Sequence, residues 1–299
     1  YGARDLNESI LTLSRALFVG ITASFFLLVL QKPIALFSFF LIDGSAEVEA
    51  LAAEYFYIRV WAAPATLGLY ALTGWFLGMQ NARFPMIMAI TINVLNIGFN
   101  LFFVFVLGMK SDGVALGTLL AQYCGFVLGL VFFFRFYKKM LKYWQYSAML
   151  KLQALGRFFS VNKDIFIRTL CLIFTFSFFT AKSAASNDTL LAVNNLLLQF
   201  LFFFSYLIDG FAYAAEALVG KYKGAGEGSL LRKSISYLFR WGLYISVPFT
   251  LIYFLAHDYV LLALTDNVEI IKAAQPYLWW VVFIPVITFP AFLWDGIYI

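Results

Sequence analysis

Charge is what this chain has least of. Of its 299 residues only 12% are Asp, Glu, Lys or Arg, against roughly 25% in a typical soluble domain. Histidine occurs once, at His257, so no set of imidazoles stands at metal-ligand spacing. Cysteine occurs twice, at Cys124 and Cys171, each alone in an apolar run. That usage gives neither a disulfide framework nor a thiolate site, and both read as small buried hydrophobes. There is no G-x-x-x-x-G-K-[ST] loop, no H-E-x-x-H and no G-x-S-x-G. ATP hydrolysis by a phosphate loop, zinc hydrolysis and a serine-hydrolase elbow are excluded with them. An enzyme, a cofactor and a resident metal are therefore not expected.

What is present is apolar. Hydrophobic residues make up 63% of the chain and aromatics 20%, and the mean hydropathy is +0.86. No single globular core hides so much Phe and Leu, so the expected solvent is lipid. Eight runs are long enough to span a bilayer: 14–42, 51–79, 85–108, 113–136, 165–185, 190–219, 235–256 and 273–299. The first carries Lys32-Pro33, which predicts a kink or an early end. Basic residues crowd alternate breaks: Arg4 and Arg15, then Arg83, then the cluster from Arg135 to Lys163, then Lys221 to Lys233. The breaks between them are acidic or near neutral. By the positive-inside rule the basic breaks are cytoplasmic. The net charge of +5 is then an orientation signal and not a nucleic-acid surface.

The chain also repeats itself. Sliding residues 1–77 forward by 222 positions lays them on 223–299 without a gap, with eleven identities. Gly20 falls on Gly242, Ser24 on Ser246, Thr66 on Thr288 and Gly74 on Gly296. Six spans separate the two copies, an even number, so both enter the membrane from one side. The fold class expected is all-α integral membrane: two parallel-repeat six-helix lobes, here truncated to eight transmembrane helices. Residues 1–137 then form a partial N-terminal lobe and 164–299 a partial C-terminal lobe. Residues 138–163 form a cytoplasmic amphipathic linker, with Lys138, Lys139 and Lys142 beside Tyr143, Trp144, Leu155 and Phe158. Gly125 and Gly129 mark a face for close helix packing.

Polar groups at membrane depth are costly, and usually face a protein interior or a water-filled cavity. Asp295 lies deep in the last run, after Pro276, Pro285 and Pro290. Those prolines free backbone carbonyls that can ligate a cation beside a carboxylate, so Na⁺ or H⁺ could be taken up there. The other reading is an acid that reaches the inner interface or pairs with an Arg. Asp209 and Glu216 are seven residues apart and share a helix face. Arg168 is an ion-pair partner for either of them. Asn96 and Asn100, with Asn93, line one side of the third run, and Thr118 and Gln122 of the fourth face the same way. They either bond helix to helix or line a polar cavity. Plentiful Phe, Tyr and Trp suit large organic cations without specifying them.

These residues carry a family resemblance. Gly74-Trp-Phe-Leu-Gly-Met-Gln-Asn-Ala-Arg83 with Pro85, then Asn96 and Gly113-Val-Ala-Leu-Gly-Thr118, resemble the multidrug and toxic compound extrusion (MATE) transporters. Asn162-Lys-Asp-Ile-Phe-Ile-Arg-Thr169 and the stretch from Asp209 to Gly220 are similar to its DNA-damage-inducible F-like branch. The resemblance covers the whole chain, as helices three to ten of about twelve, and makes the sequence a piece of a longer protein. It implies export of organic cations or other amphiphiles by Na⁺ or H⁺ antiport, through alternating access, in the bacterial inner membrane. It also implies that Asp295 belongs to the cation site of the C-terminal lobe, and that Asn96 and Thr118 are N-lobe polar positions. Two positions depart from the pattern: Asn100 where an Asp is common, and Gln122 where a Glu is expected. An amide cannot take up a proton as a carboxylate does, which puts proton coupling through the N-lobe in doubt. The partners expected are the lipid bilayer and small cationic or amphiphilic substrates, for a monomer that binds no nucleic acid. The alternative is a flippase for lipid-linked oligosaccharide or peptidoglycan precursors, which calls for a more basic cavity than Arg59, Arg168 and Arg240 provide.

Overall fold

The computed structural model describes residues 5–41, 46–144 and 152–298. Among the described residues every regular element is helical. Seven helices are long and apolar enough to cross a membrane, and a bent pair, Val268–Val282 with Ile284–Tyr298, makes an eighth. Each of the eight expected runs has a helix or bent helix pair, but the first span is Leu6–Val29 rather than 14–42, because the helix breaks ahead of Pro33. The protein is a multipass membrane protein built from two compact units, Ala3–Leu155 and Gly156–Ile299.

The first unit holds α1 (Leu6–Val29), α2 (Gln31–Leu41), α3 (Ala46–Arg59), α4 (Ala63–Gly78), α5 (Arg83–Leu101) and α6 (Ser111–Phe136), followed by a 3₁₀ segment, Lys138–Tyr143. Asp5 starts α1 by accepting the Glu8 amide at 2.9 Å, the role an N-cap side chain plays. The helix breaks at Leu30. Pro33 explains this: its ring clashes with the carbonyl three to four residues back and offers no N–H. The unit is held by α6, whose Gly117, Ala121, Gly125 and Gly129 form a buried stripe. A Cβ on Gly125 would lie 2.3 Å from Ile92 Cγ1 on α5, so only glycine lets these two helices meet. In lipid such close packing, rather than hydrophobic burial, drives helices together. At the other end of the unit, Trp75 packs against Phe76, Phe133 and Tyr137 and donates its indole N–H to the Ser9 carbonyl at 2.9 Å.

The second unit holds α7 (Leu152–Ser186), α8 (Asp188–Gly224), α9 (Gly228–Leu264), α10 (Val268–Ala274), α11 (Leu278–Val282) and α12 (Ile284–Tyr298). Its core joins α8 and α12 through Phe204, Ile208, Phe289 and Leu293, with Phe239 and Phe249 of α9 packed against them. Helix α7 contributes little to it: Phe166, Leu170, Ile173, Phe174 and Phe178 are all exposed. Residues 152–163, expected as linker, are the first turns of α7. The break at 42–45 and the side chains of Leu155 and Phe158 lie outside the described residues.

The repeat seen in the sequence is also a repeat of structure. At the offset of 222, the start of α1 at Leu6 falls on the start of α9 at Gly228, and Ala46 of α3 falls on Val268 of α10. The 3₁₀ break at Val60–Ala62 falls on the 50° bend between Val282 and Ile284. Each break stands just ahead of a proline, Pro64 or Pro285, at the place where the ring disrupts the helical ladder. Side-chain detail repeats too. Ser24 Oγ donates to the Gly20 carbonyl at 2.7 Å, and Ser246 Oγ to the Gly242 carbonyl at 2.6 Å. Gly20 faces Leu67 and Gly242 faces Phe289, which are again register mates.

Candidate cation site in the second unit

Helices α8 and α12 cross where Gly296 meets Ala212. A Cβ on Gly296 would lie 2.2 Å from the Ala212 carbonyl oxygen and 2.7 Å from its carbon. This close crossing fixes the neighbouring acids. On α8, Ile208 and Ala215 point into the core and are fully buried, which leaves Asp209 and Glu216, one position later on each turn, half-buried at its edge. On α12, Leu293 and Gly296 are buried and Asp295 between them is half-buried. Asp295 interacts electrostatically with both Asp209 and Glu216.

The counter-charge comes from α7. Arg168 donates from its guanidinium to Asp295 Oδ2 at 2.5 Å, with side chains 42% and 29% exposed respectively. Asp295 thus follows its alternative reading, an acid paired with an Arg, while Arg168 does not bond to Asp209 or Glu216 as its own expectation had it. Arg168 and Asp295 are 127 positions apart on different helices, a contact that local spacing cannot encode. Arg168 remains within electrostatic range of Asp209. Asp295 and Asp209 thus share one guanidinium, with Glu216 in the field of Asp295, on three helices. Such a group attracts cations and repels anions. Among the described residues no group of three or more His, Cys, Asp or Glu has the geometry to hold a metal ion.

The polar positions of the first unit come together differently. Asn96 Nδ2 donates to Thr118 Oγ1 at 2.9 Å, Thr118 Oγ1 donates to the Val114 carbonyl at 2.9 Å, and Asn100 Nδ2 donates to Asn96 Oδ1 at 3.3 Å. This is the helix-to-helix bonding between α5 and α6 that amides and hydroxyls make in lipid. Asn100 Oδ1 is buried without a hydrogen-bond partner and abuts Gly117. Asn93 stands apart, on an exposed face, bonded to the Ala89 carbonyl of its own helix. Gln122 is half-buried and makes no hydrogen bond with the described residues. A cavity of about 410 Å³ in this unit, lined by Leu13, Leu72, Phe133 and Trp144, contains none of these groups.

Other positions were placed or missed by the sequence for clear reasons. Cys124 and Cys171, expected to be buried, are both exposed, because each lies on the outer side of its helix. Arg15, read as a loop-end charge, is only 7% exposed and donates to Glu8 at 2.6 Å. Tyr123 was not singled out. Its hydroxyl donates to the Trp61 carbonyl at 2.9 Å, a carbonyl in the 3₁₀ break before α4. Pro64 was the available signal, since a proline-broken helix needs substitute donors.

Comparison with known proteins agrees with this architecture. A family model described as MatE matches residues 1–102 and 165–299. The chain is 34% identical over 303 aligned residues to DNA damage-inducible protein F of Escherichia coli, covering 100% of this chain and 65% of that protein. It is 24% identical to Protein DETOXIFICATION 44, chloroplastic, of Arabidopsis thaliana, covering 99% of this chain and 57% of that protein. The chain thus spans less than two thirds of the length of either relative. Among solved structures it superposes on a MOP-superfamily transporter from Pyrococcus furiosus with a TM-score of 0.84, at 18% identity, over 99% of this chain and 68% of that one. It superposes on a MATE transporter from Vibrio cholerae, in its bent form, with a TM-score of 0.76, at 16% identity, over 99% of this chain and 72% of that one. With two thirds or more of its residues matched by the family model and the helical order of both units preserved, the chain belongs to the MatE family of membrane transporters.

Proposed function

We propose that this chain is part of a secondary antiporter that exports organic cations or amphiphiles in exchange for Na⁺ or H⁺. The observation that carries this reading is the cluster of Asp295, Asp209 and Glu216 around the α8–α12 crossing, with Arg168 as its one basic partner. Acids held at membrane depth mark ion and substrate pathways. One set of carboxylates cannot hold cargo and coupling ion at full strength together, so entry of one favours release of the other. A membrane potential supplies about 2.3 kcal/mol per charge per 100 mV, enough for roughly forty-fold accumulation per charge moved. The charge alternation puts the basic breaks on the cytoplasmic side, and the likeness to a protein of Escherichia coli supports the inner membrane of a bacterium as the location. A single half-exposed arginine is a poor receptor for a pyrophosphate, which weighs against the flippase alternative.

Ethidium efflux from cells lacking other exporters tests the proposal. Cells expressing the protein should extrude the dye when energised, and cells expressing Asp295→Asn at equal membrane abundance should retain it. Equal efflux by wild type and Asp295→Asn removes Asp295 from the coupling site.

A further inference from the structure

Helix α7 makes few contacts with the other described helices. Within 162–183 its most apolar 18-residue window holds no buried residue, and Ser183 at its end is buried. Two of its side-chain attachments go to α8: Ser183 Oγ accepts from Asn194 Nδ2 at 2.7 Å, and the Phe176 and Phe202 rings stand 5.9 Å apart. Its attachment to α12 is the ion pair of Arg168 with Asp295. The same carboxylate is thus both the candidate cation ligand and the anchor of a loosely packed helix.

We infer that the Arg168 guanidinium is a tethered cation that competes with cargo or coupling ion for Asp295, and that displacing it releases α7 from α12. The inference rests on the reading of Asp295 as the cation site. Three features support it. The pair is open to competition, since its side chains remain 42% and 29% exposed. A displaced guanidinium has somewhere to go, because Asp209 is already within its field. And none of Phe166, Leu170, Ile173, Phe174 and Phe178 of α7 is buried against α12 among the described residues. A cation bound at Asp295 is then reported to a whole helix without any change in the core of Phe204, Ile208, Phe289 and Leu293. Competition also makes the site selective: a cation must be attractive enough to replace a charge-assisted hydrogen bond, which a neutral amphiphile is not.

The test uses tetraphenylphosphonium binding to the purified protein in nanodiscs. Arg168→Gln removes the competitor and should bind tetraphenylphosphonium about tenfold more tightly or better, the scale of a hydrogen bond to a charged group. Arg168→Lys keeps a competitor and should stay near wild type. Unchanged or weaker binding by a folded Arg168→Gln protein overturns the inference, since a merely structural arginine would give that result. Asp295→Asn distinguishes this from failure of the site itself. Lost binding by Asp295→Asn without tightening by Arg168→Gln sinks the competition alone, whereas wild-type binding by Asp295→Asn sinks the cation site. Amide exchange on the wild-type protein covers the case in which Arg168→Gln does not fold. Saturating tetraphenylphosphonium should speed exchange within 162–183 relative to α9, and slower or unchanged exchange there refutes the release of α7.

Discussion

Replacing Gly296 with alanine should separate α12 from α8 and loosen the cation site without touching a charge. The added Cβ would lie 2.2 Å from the Ala212 oxygen, 2.7 Å from its carbon and 2.8 Å from its Cα. All three atoms are backbone, so no rotamer change relieves the contact. Ordinary carbon–oxygen contact requires a retreat of about 1 Å by one of the helices, and overpacking of this kind costs about 1–3 kcal/mol. Asp295 is the adjacent residue, and its 2.5 Å bond to Arg168 does not survive a shift of that size. Gly210→Ala is the internal control. It lies on α8 beside Asp209, with nothing within 4 Å of its added Cβ, and should be neutral or stabilising by about 0.5–1 kcal/mol through helix propensity. Thermal unfolding in detergent and tetraphenylphosphonium titration of both variants give the answer. Gly296→Ala should melt lower and show altered cation affinity, while Gly210→Ala should do neither. Two variants with the same melting temperature would refute the argument from the helix crossing.

Three further outcomes are expected. Gly117→Ala would place a Cβ 2.2 Å from Asn100 Oδ1 and 3.1 Å from its backbone nitrogen, breaking the Asn100–Asn96 bond at a cost of about 1–3 kcal/mol in a melting experiment. Tyr123→Phe removes the donor to the Trp61 carbonyl in the 3₁₀ break; the loss should be about 1 kcal/mol, with cation binding in the second unit unchanged. Asp209→Asn and Glu216→Gln should each weaken tetraphenylphosphonium binding by less than Asp295→Asn does, because they act on Asp295 through the field and do not hold Arg168; a titration that ranks them above Asp295 contradicts this order.

Much of the architecture was legible because lipid imposes simple rules. Span length and the Gly20–Ser24 and Gly242–Ser246 pairs depend only on local spacing, and the structure shows both. The acids could be picked out for the same reason, since Asp209, Glu216 and Asp295 stand in apolar runs. Which acid meets which base was not legible. Arg168 and Asp295 are 127 positions apart on different helices, and no local periodicity encodes a contact at that separation. Burial was the other blind spot. In a soluble protein an apolar run implies a core, but in lipid Cys124 and Cys171 can face outward at no cost. The amides of the first unit were seen as a set, yet only Asn96, Asn100 and Thr118 bond together, because Asn93 turns to the exposed side of α5.

The register mate of Gly296 is Gly74, but that of Asp295 is Thr73. An assembly of two identical subunits is obliged to place every ionisable group twice, once in each protomer. A gene that carries both halves in one reading frame escapes that obligation. At this one register position one half carries an acid and the other a hydroxyl, so two halves of shared ancestry can differ in charge where two identical subunits could not.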